Sequence, residues 1–129
     1  MASATSSRAV EWILRVAVAG EFLGHGVFSL QHKAGWLGYY SAVGISEPTA
    51  LTLMTLVGLL DLFVAVIVLI RPVRLVLLWA VFWTFITALI RPIAGDPIWD
   101  FIERFANIGA PLALLSLVGL PKKVKEWFL

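Results

Sequence analysis

The chemistry in this chain resides in charged groups set among apolar ones. Glu11, Arg15, Glu21, His25 and Ser29 recur along residues 9–30. At 100° per residue of an α-helix they share one sector of roughly 120°. Glu21 and His25 stand four apart, a spacing at which helix side chains touch. Asp100, Glu103, Arg104, Asn107 and Pro111 follow an i, i+3, i+4, i+7, i+11 pattern, again a single face. Asp61 is the lone charge of a long apolar run, and Thr84, Thr87 and Arg91 form a weaker polar line. A carboxylate beside an imidazole can exchange protons with a ligand that is being oxidised or reduced. The same groups can instead pair among themselves, Glu21, Asp61 and Glu103 against Arg91 and Arg104, and so fix helix packing. Both readings, a salt-bridge network and a polar pocket for a headgroup, a quinone ring or a proton relay, stay open at this point.

Other chemistries find less support. His25 and His32 are the two imidazoles, and no ligand spacing surrounds them, so no metal site is expected. A single helix-borne His25 is thin ground for an axial haem ligand. Cysteine is absent, which removes thiol catalysis, thiolate ligation and disulfides. No P-loop, dinucleotide fingerprint, nucleophile elbow or zinc-protease motif occurs. No intrinsic cofactor is expected, and a quinone is the candidate small molecule. The net charge of +2 sits mostly near segment ends, with no basic stripe of the kind nucleic acid requires.

The elements that must position these groups are membrane helices. Of 129 residues, 60% are hydrophobic and 14% charged, and the mean hydropathy is +0.94. Soluble domains are about 45–50% apolar and about 25% charged. A spanning helix needs about 20 mostly apolar residues, and lipid leaves no other way to satisfy the backbone in so short a chain. Four spans are expected, at 9–30, 50–70, 73–90 and 98–120, giving an all-α integral membrane four-helix bundle. An ionised group at the centre of such a helix costs about 2.5–3.5 kcal/mol, so those present need a reason. Arg71-Pro72-Val73-Arg74 reads as a tight turn, and Asp96-Pro97 as an N-cap followed by proline at the first helical position. The long loop after the first helix carries Trp36, Tyr39 and Tyr40, which read as interface anchors on a short interfacial helix around residues 34–43. Trp79 and Trp83 read as facing lipid or a partner. Gly24 and Gly26 flank His25, either to admit a ring beside it or to pack a neighbouring helix closely.

Basic residues orient the bundle. Arg8, Arg15, Arg71, Arg74, Lys122, Lys123 and Lys125 fall on one side, which places both termini in the cytoplasm. Residues 1–8 then form a frayed tail and 121–129 a basic one. Glu21 and Asp61 lie near the midplane. His25, Arg91, Glu103, Arg104 and Asn107 lie in the outer half, so the polar groups thin toward the cytoplasm.

The first 70 residues resemble the DoxX-like family of small four-helix bacterial and archaeal membrane proteins. The resemblance rests on Leu14-Arg15-Val16, on Glu21-Phe22-Leu23-Gly24-His25-Gly26, on Lys33, Trp36, Tyr39-Tyr40 and Gly44-Ile45, and on Gly58-Leu59-Leu60-Asp61, where Asp stands for the family's Glu. The family takes its name from a membrane subunit of a thiosulfate:quinone oxidoreductase. The resemblance implies a bacterial or archaeal cell membrane, an accessory or docking subunit of a larger redox complex, and roles for Arg15, His25 and Asp61. A non-catalytic subunit is therefore expected, with membrane lipids and a larger complex or a homo-oligomer as partners and no nucleic acid. The alternatives are a quinone- or lipid-binding subunit with its pocket in the outer half, and a small-solute or proton carrier. The carrier lacks inverted-repeat signs and a polar path through the inner half.

Overall fold

The computed structural model describes residues 4–129, with side chains from Ser6 onward. Its elements are α1 (Ala4–Leu30), a 3-10 turn (Ala34–Trp36), α2 (Leu37–Ala42), α3 (Glu47–Ile70), α4 (Arg74–Ile93), α5 (Ile98–Ile102), α6 (Phe105–Val118) and a closing 3-10 turn (Val124–Phe128). Four stretches are long and apolar enough to cross a membrane: Ser6–Leu30, Glu47–Ile70, Arg74–Ile93 and Ile98–Val118. The tail expected at 1–8 lies partly outside the described residues; from Ala4 it is already helix.

The fourth stretch corrects an expectation. It is not one helix over 98–120 but two, α5 and α6, broken at Glu103–Arg104. The Arg104 guanidinium takes the Asp100 carbonyl at 2.9 Å, the acceptor its own amide would use in a continuing α-helix. That amide turns to Phe101 O instead, at 3.1 Å. Asp96 departs from expectation too. It caps nothing, because its carboxylate accepts a hydrogen bond from Tyr39.

Packing divides the bundle into two halves. α1 lies along α3, α4 along α6, and α1 also meets α6, whereas α3 and α4 make little contact. Gly26 and Gly58 set the α1–α3 distance: a Cβ on Gly58 would stand 2.7 Å from Leu30 Cγ and 3.0 Å from the Gly26 carbonyl oxygen. Small residues permit that approach. The sealed core of Val18, Phe22, Val64, Val68, Leu77 and Leu114 occupies the half nearest the α3–α4 turn.

Arginines close that end. Arg15, 7% exposed, donates from Nε to Val68 O at 3.0 Å and from Nη2 to Leu69 O. Glu11 lies 3.6 Å from it and the Trp12 ring 4.0 Å. Arg74 donates to Gly119 O at 2.5 Å and Val118 O at 3.0 Å, and reaches Glu126 O and Leu129 O. These are the orphan carbonyls of the α3 and α6 C-termini, where the helix dipole also favours a cation. Residues 121–129 therefore do not trail away. They fold back onto the start of α4.

At the opposite end, three helices stop in the same way. After α1, the amide of Lys33 bonds Phe28 O and that of His32 bonds Ser29 O. After α2, Ile45 bonds Tyr40 O and Gly44 bonds Ser41 O. After α4, Asp96 bonds Arg91 O and Gly95 bonds Pro92 O. This is the Schellman pattern, which needs a left-handed residue at its pivot. Gly44 and Gly95 supply it (φ 82° and 102°), but His32 occupies it at φ 52°, held by its ring Nε2 at 2.8 Å from Thr55 Oγ1. These stops bring α2 back across the mouth of the bundle.

Candidate functional site: a cavity between α3 and α4

Where α3 and α4 part, a cavity of about 480 Å³ opens, within the usual range for small-molecule sites of about 300–1,000 Å³. Its walls come from α3 (Leu53, Val57, Asp61) and α4 (Trp83, Ile86, Thr87, Arg91). α1 contributes His25 and Ser29, and the loop element carries Trp36, Tyr39 and Tyr40 across the mouth.

Each polar group has a distinct standing. Ser29 is satisfied, its hydroxyl donating to Met54 O at 2.5 Å. Arg91 Nη1 donates to the Tyr39 hydroxyl at 2.7 Å, and that hydroxyl donates to Asp96 Oδ2 at 2.8 Å. The Arg91 guanidinium also lies 4.9 Å from the Tyr39 ring centroid. Burial, then the hydrogen bond to Asp96, holds the Tyr39 hydroxyl above its ordinary pKa, so it stays a neutral bridge. Tyr40 is likewise raised by burial, with Asp61 adding to it. His25 packs its ring 5.4 Å from Trp36, and Trp36 meets Phe28 edge-on at 6.0 Å. Lys33 Nζ sits over the Phe28 ring at 4.4 Å.

Asp61 differs from all of these. It is 2% exposed, and its Oδ1 is buried with no hydrogen-bond partner. Arg91 Nε is likewise buried and unpartnered. Buried polar atoms are nearly always paired, so each exception calls for a cause. Trp79 Nε1 is a third such atom and lies outside the cavity lining, whereas Asp61 and Arg91 both line it.

The candidates drawn from the sequence thus separate. His25, Asp61 and Arg91 line the cavity, as do Trp36, Tyr39 and Tyr40. Glu21 does not line it but lies within electrostatic reach of Asp61. Arg104, with Arg91 and Lys33, acts on His25 from a distance. Glu103 pairs with Arg104 at 2.8 Å. Neither these two nor Asn107 lines the cavity, to which α5 and α6 contribute no residue. Arg15 belongs to the closed end. The alternative of a core salt-bridge network does not form. Among the described residues the ion pairs are Arg15–Glu11 and Arg104–Glu103. Trp83 is the residue the sequence reading misdirected. It stacks on Trp79 at 5.4 Å but lines the cavity, and its distance of four residues from Thr87 was the available signal. Of the two glycines beside His25, Gly26 serves helix packing, whereas a Cβ on Gly24 would meet nothing within 4 Å. No group of three or more His, Asp or Glu side chains is placed to hold a metal ion among the described residues.

Comparison with protein-family models, curated proteins and solved structures finds no match to this chain.

Proposed function

We propose that this chain is a four-span protein of a bacterial or archaeal cell membrane, with both termini cytoplasmic, that holds a small amphipathic molecule of the quinone or lipid class in the cavity between α3 and α4. The observation that carries the reading is Asp61, a buried carboxylate with an unpartnered oxygen among the residues that line the cavity. A chain acting only as a scaffold gains nothing from that arrangement, since an unpaired buried carboxylate is costly. A quinol hydroxyl or a lipid headgroup hydroxyl held there can donate to Asp61, and its oxygen can accept from Arg91. The DoxX-like resemblance supports the same reading, because its His25, Trp36, Tyr39, Tyr40 and Asp61 line a single cavity. The orientation is supported by the clustering of Arg15, Arg71 and Arg74 with the C-terminal turn at one end. The docking role in a redox complex becomes secondary: the chain would join such a complex as the subunit that holds the ligand.

Native mass spectrometry tests this. The chain, released from lipid nanodiscs, should carry a small-molecule adduct or take up an added short-chain benzoquinone. Val57→Trp, which fills the cavity, should do neither while keeping its helical content. A wild-type chain that binds nothing, or binding untouched by Val57→Trp, refutes the proposal.

A further inference from the structure

The ligand's class can be narrowed from the charges that face the cavity, on the basis that the cavity is a ligand site. Two formally charged side chains line it, Asp61 and Arg91. The Arg91 charge is met in part within the chain: Nη1 donates to Tyr39, and Tyr39 donates to Asp96, so a carboxylate stands one hydroxyl away, while Nε keeps no partner. Asp61 is not answered. No hydrogen bond or ion pair reaches it among the described residues, and the groups within its electrostatic reach include another carboxylate, Glu21, and the Tyr40 phenol.

The walls point to the same class. Four aromatic side chains, Trp36, Tyr39, Tyr40 and Trp83, line this one cavity. Ring faces attract cations, and rings gathered around a carboxylate are the common means of holding a quaternary or protonated amine. A bare metal ion does not fit, since hard cations need several oxygen ligands and no such group of side chains converges here. Leu53, Val57, Ile86 and Ile90 offer an apolar wall to an organic body.

We propose that the cavity binds a lipophilic organic cation, its ammonium seated between Asp61 and the rings of Tyr40 and Trp83, because Arg91 already lies over Tyr39 and Lys33 over Trp36, and its apolar body lying between α3 and α4. The route follows from the surrounding charge. Arg91, Arg104 and Lys33 all act on His25 at the loop side, and they oppose a cation arriving there. Apart from Arg91, the gap between α3 and α4 is walled by apolar side chains such as Leu53, Val57 and Ile86, so the ligand enters sideways, from the surface that faces lipid in the proposed membrane.

Purified full-length protein in nanodiscs, titrated with tritiated benzyltrimethylammonium in a scintillation proximity assay, tests the assignment. The neutral naphthoquinone menadione serves as the second probe. Saturable binding of the cation is expected. Asp61→Asn should weaken it on the order of a hundredfold, Asp61→Glu should keep most of it, and menadione should be indifferent to Asp61→Asn. Trp83→Leu should weaken the cation roughly tenfold. Menadione binding without cation binding overturns the cation assignment and leaves the pocket standing, whereas binding of neither probe removes both. Cation binding unchanged in an Asp61→Asn protein of native helical content overturns the assignment. Should Asp61→Asn fail to fold, cation binding unchanged in both Trp83→Leu and Tyr40→Leu does so.

Discussion

The two ends of this bundle use the same residue type in opposite ways. At the closed end, Arg15 and Arg74 reach from α1 and α4 to the last carbonyls of α3 and α6. Their charges serve as caps, and the space around them is filled by the core. At the other end, Arg91 leaves the carbonyls of its own helix to a Schellman turn and bonds a tyrosine hydroxyl instead. Its Nε, like Asp61 Oδ1, has no partner. Satisfied polar groups rigidify a fold, and each unsatisfied buried one calls for a cause. The contrast sets an end whose buried arginines are satisfied against the end where the proposed ligand site lies.

The largest expected effect tests that contrast directly. Arg15→Leu strands the Val68 and Leu69 carbonyls, and hydrogen bonds to a charged donor are worth about 1.5–3 kcal/mol each, so a loss of about 3–6 kcal/mol follows. Arg91→Leu should cost less than about 1.5 kcal/mol, because it releases one bond to Tyr39 and removes an unpartnered Nε as well. Reversible unfolding in mixed micelles measures both. Equal losses would end the distinction between the two ends.

Glycines sharpen it. Gly58→Val should destabilise by about 1–3 kcal/mol, since its Cβ would overlap Leu30 and the Gly26 carbonyl. Gly24→Ala meets open space and should be neutral or stabilising by up to about 1 kcal/mol through helix propensity. The same unfolding assay reads the pair. A cost at Gly24 as large as at Gly58 would mean that the α1–α3 crossing is not where the structure has it.

These residues also mark how far the sequence could be read. Four long apolar helices and the turn at Arg71–Arg74 follow from hydropathy and proline, signals that are local. The polar faces of α1 and of residues 100–111 were equally visible as periodicities, but periodicity assumes an unbroken helix. The Arg104 side chain breaks the second face by capturing the Asp100 carbonyl, and no pattern announces that. Arg15 was legible as important yet not as a cap, because its partners are backbone atoms more than fifty positions away, and backbone carbonyls carry no sequence mark. The cavity was half legible. Its polar residues stood out as charges in an apolar run, but its walls depend on α3 and α4 parting, which is a property of packing.

Asp61 gives a smaller and more diagnostic effect. A carboxylate that stabilised the fold would cost several kcal/mol to neutralise. An unpartnered one should not, so Asp61→Asn should leave stability within about 1 kcal/mol of wild type, on the favourable side if it moves. Ser29→Ala, at a residue whose carbonyl takes part in the Schellman stop of α1 and whose hydroxyl is satisfied by Met54 O, should cost about 1 kcal/mol by comparison. Loss of the fold in Asp61→Asn, measured by helical content after detergent exchange, would return Asp61 to a structural role.

The smallest effect lies in the C-terminal turn, which completes the closed end. Glu126 accepts the backbone amides of Lys122 at 2.6 Å and Lys123 at 3.1 Å. These two bonds, with a lesser contribution from Arg74, hold its pKa below the ordinary 4.5. A carboxylate whose folded pKa is depressed contributes stability that is fully present above its unfolded value and is lost as pH falls through the folded one. The turn should therefore be intact at neutral pH and loosen only below about 4.5, the ordinary glutamate value. Because the group is exposed, the loss should stay local and leave the Arg74 bonds to Gly119 and Val118 in place. The Lys122 and Lys123 amide resonances should titrate together, with a midpoint under 4.5, and Glu126→Gln should abolish that titration. If the whole bundle unfolds with this midpoint, the C-terminal turn holds the closed end together and Arg15 and Arg74 are secondary to it.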